Sequence, residues 1–140
     1  MNGKTFVDTN ILVYAYDLDS GRKRQVASGL LQELWEAETG AVSPQVLQEF
    51  YVSVTRKIGR RLLKQEARQI VNTYAPWSIV VAYTEIMDAF RIEDMAGIHF
   101  WDALIVASAA RAGATRIVSE DLNAGQTIAG IRIENPFAGA

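Results

Sequence analysis

The sequence predicts an α/β fold, a three-layer α/β/α sandwich with a central parallel sheet. Three observations predict it. Segments of strand and helix character alternate along the chain, which favours parallel strands joined by helical crossovers. The strand segments are short continuous apolar runs, such as Phe6-Val7, Ile79-Val80-Val81 and Ile117-Val118, the pattern of strands buried on both faces. The 140 residues, 49% of them hydrophobic, suit one domain, residues 1–140, with one sizeable core.

The elements follow in order. Lys4 to Asp8 is a short apolar run ending in an acid, and Asp8-Thr9-Asn10 supplies N-cap chemistry for a first helix. Arg22 to Glu38 carries Val26, Leu30, Leu31 and Leu34 at helical spacing, with Gly40 as its stop signal. Ala41-Val42-Ser43 is a short strand. Ser43-Pro44 then reads as an N-cap with proline at the first helical position, and Val46, Leu47, Phe50, Tyr51, Val54 and Ile58 form that helix's apolar face up to Gly59. Lys64 to Tyr74 is a further helix, broken by Pro76. Ser78 to Val81 has the β-branched density of a buried strand. Thr84 is placed to cap a helix reaching Met95. Trp101 to Ala112, rich in Ala and Ser, suits a helix lying close against a sheet, with Gly113 at its end. Arg116 to Ser119 is the fourth strand, and Ile128, Ile131 and Ile133 before Asn135-Pro136 mark a short final one.

This architecture directs attention to the carboxyl ends of the strands, where ligands bind in open α/β sheets. Asp8 follows the first strand directly, and Asp121 follows the Ile117-Val118 strand after Ser119 and Glu120. Asp102 falls in the first turn of its helix. Glu49 lies about one turn into the Pro44 helix, at the border of its apolar stripe. Singly, each acid has an ordinary duty: Asp8 and Asp102 as carboxylates at helix starts, Asp121 in a turn, Glu49 as a solvated helix residue. Together at one sheet edge they repel one another and raise each other's pKa unless a cation neutralises them. With no Cys and a single His, His99, the donor set is oxygen and favours Mg²⁺ or Mn²⁺ over zinc. Such a site activates water and stabilises a leaving oxygen, so phosphodiester hydrolysis is the reaction that fits.

Composition narrows the field. The absence of Cys removes disulfides and a thiol nucleophile, and suits a reducing cytoplasm. The start of the chain holds no signal-peptide core and no apolar run reaches a membrane span, so a soluble, cytoplasmic protein is expected. Net charge is −2 and the sequence pI about 5.4, so any nucleic-acid contact must use a local patch. Arg56, Lys57, Arg60, Arg61, Lys64 and Arg68 crowd a stretch whose only acid is Glu66; this is either a phosphate track or a solvated helix end. No G-x-x-x-x-G-K-[ST], G-x-G-x-x-G or G-x-S-x-G motif is present. His99 is expected in a loop without a catalytic duty. Trp35, Trp77 and Trp101 are expected in the core or an interface, an exposed one being able to stack a base.

Four blocks carry a family resemblance: FVDTNILVY around Asp8, SPQVLQEF ending beside Glu49, FWDALIVASA around Asp102, and VSEDLNAGQTIAGIRIENPF at the end. In their order and spacing they resemble a PIN-domain ribonuclease of the VapC toxin type, across nearly the whole chain. The resemblance implies a PIN fold, Mg²⁺ or Mn²⁺ dependence, and single-stranded or loop RNA as substrate. It assigns Asp8, Glu49, Asp102 and Asp121 to catalysis and metal binding, with Asn10 and Ser119 supporting them, and leaves Glu120 as a substitute for Asp121. It also implies a cognate antitoxin, a homodimer and growth arrest by the free toxin. Arg56, Lys57, Arg60 and Arg61 become candidates for RNA contact. Two rival readings remain at this point. One is a haloacid-dehalogenase-type phosphatase with Asp8 as nucleophile, although Asn10 stands where its second acid belongs. The other is a non-catalytic, Mg²⁺-binding regulatory domain.

Overall fold

The computed structural model describes residues 3–138; Met1, Asn2, Gly139 and Ala140, the ends of the expected domain, lie outside the described residues. The elements are β1 (Lys4–Val7), α1 (Thr9–Tyr16), α2 (Arg22–Ala37), β2 (Gly40–Ala41), α3 (Pro44–Arg56), α4 (Lys64–Tyr74), a 3₁₀ turn (Ala75–Trp77), α5 (Tyr83–Ala96), α6 (Phe100–Arg111), β3 (Ala114–Val118), β4 (Thr127–Ile128) and β5 (Ile131–Glu134). The sheet order is β2-β1-β3-β5-β4. All neighbours run parallel except β4, which forms a tight antiparallel hairpin with β5.

The register explains the apolar runs. Phe6 pairs with Ala41 on one side and Ile117 on the other, and Ile117 pairs with Ile133. Phe6, Ile117 and Ile133 have no exposed surface, so one row of side chains crosses the centre of the sheet. Parallel crossovers are right-handed. The helices that carry the chain from β1 outward to β2, and α6, which feeds it back to β3, therefore cover opposite faces. This is the expected α/β/α layering. Helix α6 packs on β3 and β5 with α5 behind it, while α1 packs on α2 and α3. The α6 run Ala103 to Ala109 is buried throughout, which is what its small side chains permit. Among the described residues, no helix is long and apolar enough to cross a membrane.

The helix start at Ser43 is as the sequence predicts: its hydroxyl accepts from the Val46 amide at 3.4 Å, and Pro44 occupies the first turn. Four readings need correction. Ser78 to Val81 is not a strand. Ser78 makes one isolated parallel bridge to Val42, and Val80 is 77% exposed. Its neighbour β2 spans only two residues, so the chain has no ladder to follow and turns away. Second, the final stretch holds two strands in place of one, because Ala129 and Gly130, both at positive φ, reverse the chain between β4 and β5. Third, Thr84 does not cap α5. Glu85 does so by accepting from the Ala82 amide at 2.8 Å, and the Thr84 hydroxyl donates to the same carboxylate at 2.7 Å. Fourth, α2 is closed by Glu38, in the left-handed region at φ 58°, and not by Gly40.

Gly40 has a different duty. It lies in β2 beneath the Trp77 indole, and a Cβ there would stand 2.6 Å from the ring. Trp77 is buried, with Trp35 tilted against it at 5.3 Å between centroids and Tyr74 edge-on at 5.1 Å. Gly40→Ala should lower unfolding stability by about 1–3 kcal/mol through overpacking, read as a shifted urea midpoint. The loss should shrink in a Trp77→Leu background, since the two positions share one contact.

Candidate active site

The strand order places a topological switch point between β1 and β3. From β1 the chain moves to one side of the sheet and from β3 to the other, leaving a crevice at their carboxyl ends. Two of the predicted acids flank it. The Asp8 amide donates to the Val118 carbonyl at 3.0 Å, extending the β1–β3 ladder by one residue. Asp8 then caps α1 from an extended backbone (φ −75°, ψ 161°), its Oδ1 accepting from the Thr9 amide at 2.7 Å. Its Oδ2 accepts from the Ser119 hydroxyl, also at 2.7 Å. Ser119 is fully buried, and its oxygen accepts in turn from the Leu122 amide at 3.1 Å.

Asn10, one residue beyond Thr9, grips the loop after β3 with both ends of its amide. Its Oδ1 accepts from the Glu120 amide at 3.1 Å, and its Nδ2 donates to Asp121 Oδ2 at 3.2 Å. Glu49, on the exposed side of α3, accepts from the Thr9 hydroxyl at 2.7 Å. Thr9 therefore contacts two of the acids, Asp8 through its backbone and Glu49 through its side chain. Sequence reading assigned Thr9 only a capping duty; its place between a strand-end acid and a second acid forty residues away emerges from the packing of α1 on α3.

The electrostatics link these acids to Asp102. Burial pushes the Asp8 carboxyl up from 3.8 to about 6, against the lowering effect of its bonds to Ser119 and Thr9, and the charges of Glu49 and Asp102 add to the rise. Asp102 is also raised, first by burial; His99 opposes the rise, while Asp121 and Glu49 reinforce it. The structure thus places Asp8 in the field of Glu49 and Asp102, and Asp102 in that of Glu49 and Asp121. Among the described residues, no three Asp, Glu or His side chains form a ready-made metal cage. Cationic compensation is what the shared field calls for, and an all-oxygen donor set fits a hard divalent ion such as Mg²⁺ or Mn²⁺.

Glu120 is turned elsewhere. Its Oε1 accepts from the Tyr14 hydroxyl at 2.5 Å, and its Oε2 pairs with Lys23 Nζ at 2.5 Å. Burial works against its charge, but these two partners hold its carboxyl below the usual range. Asp121, by contrast, accepts from Asn10 and acts on Asp102 through its charge. His99 is exposed at the start of α6, close enough to Asp102 for its charge to be felt there. Trp101, beside Asp102, is 62% exposed and Trp35 45% exposed, whereas Trp77 is buried. Of the basic residues, Lys57 lines a groove with Thr9, Gln48 and Glu49. Arg60 is paired with Asp19 at 3.2 Å. Arg56 and Arg61 are exposed.

The raised Asp8 pKa sets a pH dependence for the metal-free protein. Between pH about 4 and 6 the folded chain keeps a proton on Asp8 that the unfolded chain has released, so stability falls as pH rises through that window. The full cost above pH 6 is on the order of 3 kcal/mol. Asp8→Asn should therefore be more stable than the wild type above pH 6 in EDTA. The gain should be about 1–2 kcal/mol, since the amide keeps one of two acceptor oxygens, and it should vanish below pH 4. Thermal unfolding across pH 3.5–8 measures this; a gain that persists at pH 3.5 would contradict the assignment.

The architecture has close counterparts among solved structures. A toxin–antitoxin complex from Klebsiella pneumoniae matches with a TM-score of 0.70 at 22% identity, over 96% of this chain and 98% of that one. VapBC2 from Rickettsia felis, bound to a DNA fragment from its promoter, matches at 0.62 and 18% identity, over 94% and 97%. The sarcin–ricin loop cleaving toxin VapC20 from Mycobacterium tuberculosis matches at 0.57 and 19% identity, over 81% and 87%. At these identities the likeness is one of fold. A search of curated proteins gives no match. The family model for the PIN domain matches residues 5–127, from β1 through the loop that carries Asp121, and the chain belongs to the PIN domain family.

Proposed function

We propose that this chain is a Mg²⁺- or Mn²⁺-dependent endoribonuclease and the toxin of a toxin–antitoxin pair. The observation that carries the reading is a buried acid at the β1–β3 switch point, Asp8, whose pKa is raised first by burial and then by the charges of Glu49 and Asp102, with Asp102 raised in the same way by burial and by Asp121 and Glu49. Membership of the PIN domain family supports nuclease chemistry. The likeness to two toxin–antitoxin complexes and to a toxin that cleaves the sarcin–ricin loop supports the RNA substrate and the antitoxin partner. A homodimer acting in the cytoplasm belongs to the same proposal.

These four acids would hold the ion, which when bound would supply the positive charge that activates water and offsets charge on the phosphate and leaving oxygen. The chain's own residues do the positioning. Ser119 and the Thr9 amide fix both oxygens of Asp8, the Thr9 hydroxyl orients Glu49, and Asn10 orients Asp121. Each is a donor to a carboxylate, and so favours the charged form that a cation needs. On the RNA side, Lys57 stands in the groove beside Thr9 and Glu49, with Arg56, Arg60 and Arg61 following as exposed cations. They would neutralise phosphates without reading sequence. Exposed Trp101, next to Asp102, offers a face on which an unpaired base could stack.

The phosphatase reading loses its second acid twice over: position 10 is an amide, and both ends of that amide are engaged. A purely regulatory cation-binding domain is separated from an enzyme by experiment. Purified protein should cleave single-stranded or loop RNA in Mg²⁺ or Mn²⁺, stop in EDTA, and leave 5′-phosphate ends. Asp8→Asn and Asp102→Asn should each reduce cleavage at least about 100-fold (~2.7 kcal/mol) while staying folded. Cleavage that survives chelation, or 2′,3′-cyclic phosphate ends, would overturn the mechanism. Lys57→Ala should weaken RNA binding about equally for different sequences and flatten its salt dependence.

A further inference from the structure

Three residues outside the carboxylate cluster form a second polar knot against it. Tyr14 lies one helical turn beyond Asn10 on α1, so the two side chains share a face. They hold consecutive parts of the loop after β3. Asn10 takes the Glu120 amide and the Asp121 carboxylate, and Tyr14 takes the Glu120 carboxylate. Lys23, from the start of α2, pairs with the other Glu120 oxygen and lies 3.5 Å from the Tyr14 hydroxyl. The Lys23 ammonium also stands over the Tyr14 ring at 4.9 Å and the Phe137 ring at 5.7 Å. Phe137 meets Tyr14 edge-on at 5.2 Å. Both oxygens of Glu120 are thus occupied and its charge is matched by Lys23, whose salt bridge among the described residues is to Glu120.

We propose that Lys23 and Tyr14 are positioning residues for Asp121: by holding the Glu120 carboxylate out of the cluster, they set which acid of the loop faces the divalent cation, and where. The inference rests on the metal-dependent reading above. It gives two residues with no contact to the four acids a place in metal affinity. Glu120 and Asp121 are adjacent, so their side chains leave the backbone in different directions. Anchoring Glu120 toward α1 and α2 commits Asp121 to the crevice. Without the anchor, the loop is tied to α1 by Asn10 and to Asp8 through Ser119, and Asp121 can adopt more than one orientation.

The test is Mn²⁺ binding without RNA, measured by titration calorimetry at pH 7.5, with thermal unfolding of every variant alongside. Lys23→Met and Tyr14→Phe should each raise the Mn²⁺ Kd about 10-fold, the low end of what outer partners of a metal site contribute, and Lys23→Arg should restore it. The losses should disappear in an Asp121→Asn background, through which the two residues act, and remain in an Asp102→Asn background. That asymmetry cannot come from general loosening, which would add equally to both. Equal losses in the two backgrounds, or tighter Mn²⁺ binding by Lys23→Met, would overturn the positioning role while leaving the metal site intact. A wild type that binds no Mn²⁺ would overturn the underlying reading and this inference with it.

Discussion

The hydrogen bond from the Ser119 hydroxyl to Asp8 joins the two halves of this molecule at the point where they diverge. It spans the carboxyl ends of β1 and β3, the central strands of the sheet, and it does so with a residue that has no exposed surface. A hydroxyl serves here because it donates and accepts at once. It gives its proton to the carboxylate and receives the Leu122 amide, so the loop after β3 is folded by the same atom that orients the acid. Burying a carboxylate at this point is costly, and the partially offsetting bonds show in the direction of its pKa. The fold accepts a destabilised group at the switch point of its sheet, which is where functional groups of α/β proteins lie.

Much of this was legible in the sequence because strand ends are local features. Phe6-Val7-Asp8 and Ile117-Val118-Ser119 announce where an apolar run stops and a polar site begins, and parallel topology then places the two stops side by side. The serine and proline at positions 43 and 44 fixed the helix that carries Glu49 by capping chemistry alone. The Ser78 to Val81 segment misled for a related reason: its β-branched side chains satisfy the propensity of a strand, but a strand also needs a partner, and β2 ends before it can provide one. Propensity is a property of the segment, whereas pairing is a property of the neighbours.

The choice between Glu120 and Asp121 lay beyond sequence reasoning on the same grounds. Adjacent acids in a loop are equivalent until something distant breaks the tie. Here a lysine nearly a hundred residues earlier and a tyrosine on α1 engage Glu120 and leave Asp121 to Asn10. Thr9 carries a similar lesson. Its capping duty is local, but its contact with Glu49 depends on how α1 crosses α3. Gly40 reads as a helix stop because glycine commonly is one. Its actual constraint, the Trp77 ring above it, comes from a residue in another part of the chain.

Both rims of the sheet are built from strands of only two residues, β2 on one side and β4 on the other. A rim that short exposes few unpaired backbone donors and acceptors, and it offers an incoming chain almost nothing to hydrogen-bond along. The long, sticky strands β1, β3 and β5 are kept inside, each flanked by neighbours on both sides. A protein with nearly half its residues hydrophobic is thereby protected from strand-by-strand aggregation by geometry, without spending charged residues on its edges. Its surface acids and bases stay free for the crevice and for the groove that leads to it.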